Sequence, residues 1–231
     1  MAIAKKPRDP TDIYPIGPQI VTDNTVEDLR FRRLLSREEW NALPKAVRRG
    51  FTKRHKDTDV ETYIGKIIGA HATFAGKLLI QLGRFIGTPL PLDTEINMPA
   101  IVTVTEEKKT GGQLWTRIYG RRDKFPQVIR SAKRFAGPTG LEEYIGFGIG
   151  MALRVGVEED VMRFRSDHFF TRLFGRRYRL PRWLLPFTIT VRHIDQRRGQ
   201  FVFDLEVRMA KLGVILHQAG LFRDADHAGG A

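Results

Sequence analysis

The chain has 231 residues, 39 lysines and arginines against 26 aspartates and glutamates, a formal net charge of +13 and no cysteine. That length suffices for one domain with a sizeable core. The missing cysteines exclude disulfides, thiolate nucleophiles and Cys-ligated zinc or iron–sulfur centres, and no apolar run approaches the roughly 18 residues of a membrane-spanning helix.

Residues 1–30 are punctuated by Pro7, Pro10, Pro15 and Pro18 and show no periodicity, which predicts an extended, partly disordered arm. The opening MAIAKKPRDPTD has no apolar core after its lysines, so no secretory signal is expected and a reducing cytoplasm is the expected compartment. Residues 31–223 read as one α+β domain and 224–231 as a flexible tail. Ser36 with Glu39 has the form of a capping box, which starts a short helix at Ser36. Pro44 suits the first turn of a second helix holding Val47 and Phe51 on one side. A strand is predicted over 59–71. TFAGKLLIQLGRFIG, residues 73–87, is an amphipathic helix with Phe74, Leu78, Leu82 and Phe85 on one face and Lys77, Gln81 and Arg84 opposite, stopped by Gly87 and Pro89. Packing on a sheet is the common fate of such a stripe, and lying on a membrane the rarer one.

From residue 98 the period switches to two. Strands are predicted at 98–107, 112–120, 127–135, 141–156, 160–170, 186–194, 199–208 and 214–222, joined by short links that dictate antiparallel pairing. The expected fold is a strongly curved, mostly antiparallel sheet of eight or nine strands, barrel- or grip-like, with an N-terminal helical segment and one amphipathic helix. LEEYIGFGIGMALRVG reads as a single long strand whose glycines, Gly146, Gly148 and Gly150, share one face and let it bend. In FTITVRHI, His193 continues the apolar row of Phe187, Ile189 and Val191. LPRWLLP before it is a proline-bounded corner whose Trp183 is expected to cap one end of the core, with Arg176, Arg177, Arg179 and Arg182 at the corner.

LWTRIYG (114–120), the stretch from GLEEYIGFGIGMALRV (140–155) through FTRLFGRRYRLPRWLLP (170–186), and GQFVFDLEVRMAKLGVILHQAGLF (199–222) together resemble a bacterial domain of unknown function family, family 4166. The likeness covers roughly residues 40–223, with LPRWL and the closing strand pair its most specific parts. The family includes free-standing domains and domains attached to nucleotide-binding oxidoreductases. The resemblance implies no established activity and transfers no catalytic residues. GFGIGMAL lies inside a predicted strand and not at a strand-to-helix turn, so it is no dinucleotide signature, and no cofactor is expected.

Trp115, Arg117 and Tyr119 share one face of their strand. Such a row can stack on and hydrogen-bond to an anionic ligand, although a ladder on the outer face of the sheet is the more ordinary use. Glu143 shares a row with Ile145 near a strand start, within reach of water. His217 falls between two apolar rows, so its direction is open, and His168 stands beside Asp167. Trp115, Arg117, Glu143, Trp183, His193 and His217 are the candidate ligand-binding residues. No HxH, HxxxH or HExxH spacing is present, so no metal site is expected. The expected function is a non-enzymatic or accessory domain binding an apolar or amphipathic small molecule inside the curved sheet. The alternative is an isomerase- or hydrolase-like enzyme using His193 or His217 with Glu143 in the same cavity. The charge excess further predicts weak, salt-sensitive association with anionic membrane surfaces or an acidic protein through the arginines of 172–182 and the 48–56 cluster. Nucleic acid would be bound by the same attraction without sequence preference.

Overall fold

The computed structural model describes residues 28–53, 59–87 and 89–225, and the expected arm before residue 28 and the end of the tail lie outside the described residues. The period of two is carried through β1 (Glu61–Ala72), β2 (Pro99–Glu107), β3 (Gly112–Arg121), β4 (Lys124–Arg134), β5 (Leu141–Gly146), β6 (Ile149–Glu158), β7 (Val161–Leu173), β8 (Arg176–Arg179), β9 (Phe187–Asp195), β10 (Gln200–Met209) and β11 (Gly213–Asp224). Neighbours follow the order β6, β5, β4, β3, β2, β1, β11, β10, β9, β7, and β7 pairs back onto β6. Ten strands therefore close into a barrel, every pairing antiparallel, and β8 is an additional strand on the far half of β7.

The strand count exceeds the expected eight or nine for two reasons. The stretch 141–156 is a hairpin and not one strand, because Gly146, Phe147 and Gly148 all take positive φ (124°, 50° and 73°) and reverse the chain. The RRYR segment of β8, expected as part of a corner, pairs with residues 170–173 of β7.

Apolar rows face inward. Phe203, Leu205, Ile189 and Val191 point into the barrel, while Arg192, Asp204 and Glu206 form an ion-paired row outside. Charged Arg130 and Arg154 also stand on the outer wall. No described helix is long and apolar enough to cross a membrane.

One end of the barrel is plugged by α1 (Arg37–Ala42) and α2 (Lys45–Thr52). The capping box of α1 forms as expected: Glu39 N–H donates to Ser36 Oγ (3.1 Å) and Ser36 N–H to Glu39 Oε2 (2.8 Å). Pro44 is the N-cap of α2 and presets its entry, and α2 buries Val47 and Phe51. Phe31 is wholly buried beneath them, edge-on to Phe51, Phe135 and Phe164 at 5.0, 4.8 and 6.2 Å.

The opposite end carries α3 (Phe74–Gly83) and the 3-10 turn Arg84–Ile86, ended by left-handed Gly87. The predicted helix is present, but it crosses the barrel end and does not pack on an outer face of the sheet. Ala75 and Leu79 face inward, whereas Phe74 and Phe85 are exposed. Gly76 makes this seat possible, since a Cβ there would collide with the Ile215 carbonyl oxygen of β11.

Candidate functional site

The inward rows do not fill the barrel. They enclose a cavity of about 600 Å³, lined mainly by aliphatic and aromatic side chains, within the range of about 300–1,000 Å³ usual for small-molecule sites. Leu78 and Leu82 of α3, Leu184 of the corner and Leu212 of the β10–β11 turn line the cavity and are each about half exposed. The cavity therefore reaches solvent at the α3 end, and this opening is its mouth.

Toward the plugged end the wall turns polar. Lys133 and Ser131 of β4, Arg117 of β3 and Glu143 of β5 meet on adjacent strands, placed by the inward registers Trp115↔Ser131 and Lys133↔Glu143. Ser131 Oγ donates to Glu143 Oε1 (2.7 Å), Arg117 donates to Ser131 Oγ (3.1 Å), and Lys133 Nζ lies 3.2 Å from Glu143 Oε2. Arg117 reaches Glu143 Oε1 at 3.4 Å. Lys133 Nζ also lies over the Trp115 ring at 4.5 Å and the Phe164 ring at 5.9 Å, a cation on two aromatic faces.

Burial alone would raise the Glu143 carboxyl, but Lys133, Arg117 and Ser131 outweigh it and hold it at about 2. Burial likewise pulls the Lys133 ammonium below its ordinary value, and Glu143 offsets this only in part. Among the residues lining the cavity there are two cationic side chains, Arg117 and Lys133, and one carboxylate, Glu143. With all three ionised the wall carries one surplus positive charge. Tyr119 and Gln218 also line the cavity, and no hydrogen bond engages their side chains among the described residues. Burial raises the Tyr119 hydroxyl, which keeps it a donor. Groups in this set can bind and orient an anion, as unspent donors and cations in a low-dielectric wall do.

Of the residues singled out in the sequence, Trp115, Arg117 and Glu143 are brought together here. The Trp115–Arg117–Tyr119 row is inside the barrel, not an outer ladder, because its Val102 and Ile129 neighbours belong to the inward rows. Glu143 is buried in the cavity wall and held by three donors, and does not stand at an open strand start. Trp183 does not cap the core; it is 78% exposed beside the mouth, and Leu180, Leu184 and Leu185 of the same corner line the cavity in its place. Lys133, Ser131 and Tyr119 complete the cluster. Lys133 and Ser131 alternate with Arg130 and Arg134, so neither row of that strand reads as apolar.

The histidines do not join Glu143. His217 faces outward, and its Nε2 pairs with Asp204 Oδ2 at 2.6 Å, because its register partner Glu206 belongs to the outer row of β10. His193 does point inward, but it is packed in an aromatic cage at the plugged end, stacked on Phe201 (4.6 Å) with Phe51 and Phe203 edge-on, and is not among the cavity-lining residues. Burial lowers its pKa to about 4 from an ordinary 6.5, so it is neutral at pH 7. Because the folded value lies below the unfolded one, the unfolded chain takes the proton first. Stability from this site is therefore full above pH 6.5 and is lost as pH falls toward 4. Urea titrations across that window are expected to show a loss of about 3 kcal/mol that His193→Phe removes; an unchanged acid slope in the variant would refute it.

A second polar cluster lies on the outer wall. His168 Nδ1 donates to Asp167 Oδ2 (2.7 Å), Arg177 of β8 donates to His168 Nε2 (3.0 Å) and pairs with buried Glu142 (3.0 Å), and Tyr144 donates to Glu142 Oε2 (2.9 Å). Arg177 also covers the Phe170 ring at 4.0 Å. The cluster clamps β8 onto the barrel. Among the described residues no three metal-ligating side chains converge.

The model of a protein family described as "Domain of unknown function (DUF4166)" matches residues 43–222. No curated protein matches the chain.

Proposed function

The chain belongs to the DUF4166 family of domains of unknown function, and from its cavity we propose that it binds an amphipathic small molecule with an anionic head, such as a long-chain carboxylate. The observation that carries this reading is an apolar cavity of about 600 Å³, open at one end, whose far wall holds Arg117 and Lys133 against a single carboxylate. The head would replace bulk solvent as the partner of the surplus cation and accept from Tyr119. The tail would lie against Ile145, Ile149, Phe169 and Phe187 toward the mouth. Glu143 is a poor general base, since its proton affinity is held down by three donors. It serves to keep two cations close together in an apolar wall, so the site favours binding over acid–base chemistry.

The test is uptake of a fluorescent fatty acid, read against its uncharged methyl ester, together with native mass spectrometry of protein purified from cells. The acid is expected to bind at least about tenfold more tightly, the worth of one charge-assisted hydrogen bond. Failure to take up either probe, with no co-purifying small molecule, would reject the proposal. The pH dependence is specific as well. An anion is held by protonated Lys133, so affinity falls as pH rises through the Lys133 pKa, and it does so below the ordinary 10.5. Lys133→Met is expected to weaken binding and to abolish that alkaline fall.

A further inference from the structure

The mouth end of the barrel differs from the plugged end in the chemistry of its turns. The β6–β7 turn at the plugged end is Glu159–Asp160 and the β9–β10 turn contains Arg197 and Arg198, all four at positive φ. Two-residue turns of the same kind at the mouth end are Phe147–Gly148 and Phe174–Gly175, with Phe147 and Phe174 at φ 50° and 51°. Positive φ disfavours a bulky aromatic, and asparagine, aspartate or glycine is the usual occupant. Yet both rings project outward, Phe147 75% exposed and Phe174 wholly so. Phe85 (83% exposed) after α3 and Trp183 in the corner join them at this same end. The apolar surface is continuous through half-exposed Leu78, Leu82, Leu184 and Leu212 with the cavity lining.

The charge at this end points to the occupant. Lys77, Arg84, Arg172, Arg176, Arg182 and Lys211 are exposed among these rings. The nearby carboxylates Asp93 and Glu95 are engaged by Arg121 and Arg122, which leaves Asp123. Separate aromatic tips around an opening, interleaved with cations, match the boundary of an anionic bilayer, where rings enter the headgroup layer and lysine and arginine meet lipid phosphates. We propose that the mouth end of the barrel docks on anionic phospholipid membranes, with Phe85, Phe147, Phe174 and Trp183 as its apolar anchors. Arg48 and Arg49 of α2 lie at the plugged end and take no part, whereas the arginines of 172–182 contribute. The docking face needs no particular occupant of the cavity.

The experiment uses the full chain, without added ligand, and vesicles of phosphatidylcholine alone or mixed with phosphatidylglycerol. Sedimentation with the anionic vesicles, weakened by salt, is expected, with little binding to the neutral ones. Phe147→Asn with Phe174→Asn should reduce the bound fraction about tenfold or more, while the turns are kept because asparagine suits positive φ. Arg197→Ser with Arg198→Ser at the other end should bind as the parent does. Trp183 emission should shift to shorter wavelength on binding, and the shift should vanish in Trp183→Phe, since Trp40 and Trp115 are buried. Parent-like binding by the asparagine pair, or no Trp183 shift, overturns the proposal. So does a dimer that the asparagine pair dissolves without any vesicle binding, which would make the face a self-association surface.

Discussion

Replacing Glu143 with leucine is expected to destabilise the barrel by about 3–5 kcal/mol, the usual cost of stranding a buried charge by removing its partner. Glu143 alone faces Lys133 and Arg117 among the cavity carboxylates, and Ser131 Oγ also points at it. Without it, the Lys133 ammonium lies on aromatic rings with no counter-ion, and its pKa falls further. The folded variant then binds fewer protons than the unfolded chain over a wider pH range than the parent does, so its stability rises with pH toward the ordinary lysine range of 10.5 from a lower pH and by more than that of the parent. Urea unfolding at pH 7 and pH 9 measures both effects. Adding Lys133→Met should restore most of the loss, because a paired charge can be replaced by apolar groups at little cost. If the single variant is as stable as the parent, or the double variant is the weaker of the two, the three groups do not act as an ion cluster.

Phe31→Ala is expected to cost about 3–5 kcal/mol, the range for removing a buried phenylalanine. Phe31 makes edge contacts with three rings from α2, the end of β4 and β7, and the Arg30 guanidinium beside it reaches the Gly111 carbonyl and the Phe135 ring. Its loss would loosen the plug and not the mouth. Thermal unfolding should therefore show a lowered midpoint while fatty-acid uptake below that midpoint persists. A change under about 1 kcal/mol would mean that the segment before α1 is not part of the folded unit.

The barrel was legible wherever one row of a strand was apolar and the other charged. Phe201, Phe203 and Leu205 against Asp204 and Glu206 leave one choice of inward face. The α1 cap was legible because Ser36 and Glu39 act within a single turn. The hairpin at Phe147 was hidden because an aromatic occupies a left-handed position and extends the apolar row through the turn. Four-residue β8 carries no alternation, and its place is decided by Arg177 meeting His168 and Glu142, contacts between residues far apart in the chain. In the site, Arg117 and Glu143 could be singled out as polar groups on otherwise structured rows. Lys133 could not, since its strand alternates polar residues on both faces and only the burial of Ser131 and Lys133 settles which row is inside.

The barrel is shut by β1 pairing with β11, with Tyr63 opposite Asp224 and Ala72 opposite Leu216. Every other junction but one joins neighbours in the chain. During synthesis, hairpins from β2 to β7 can form as they emerge, but the first strand has no lasting partner on one edge until nearly the whole sequence has been translated. Until then β1 offers open backbone donors and acceptors beside a row of apolar side chains, the kind of edge that recruits a foreign strand. Ribosome-bound chains ending before residue 213 should thus be sensitive to protease and prone to aggregate, and release of β11 should be the event that commits the chain to its native form.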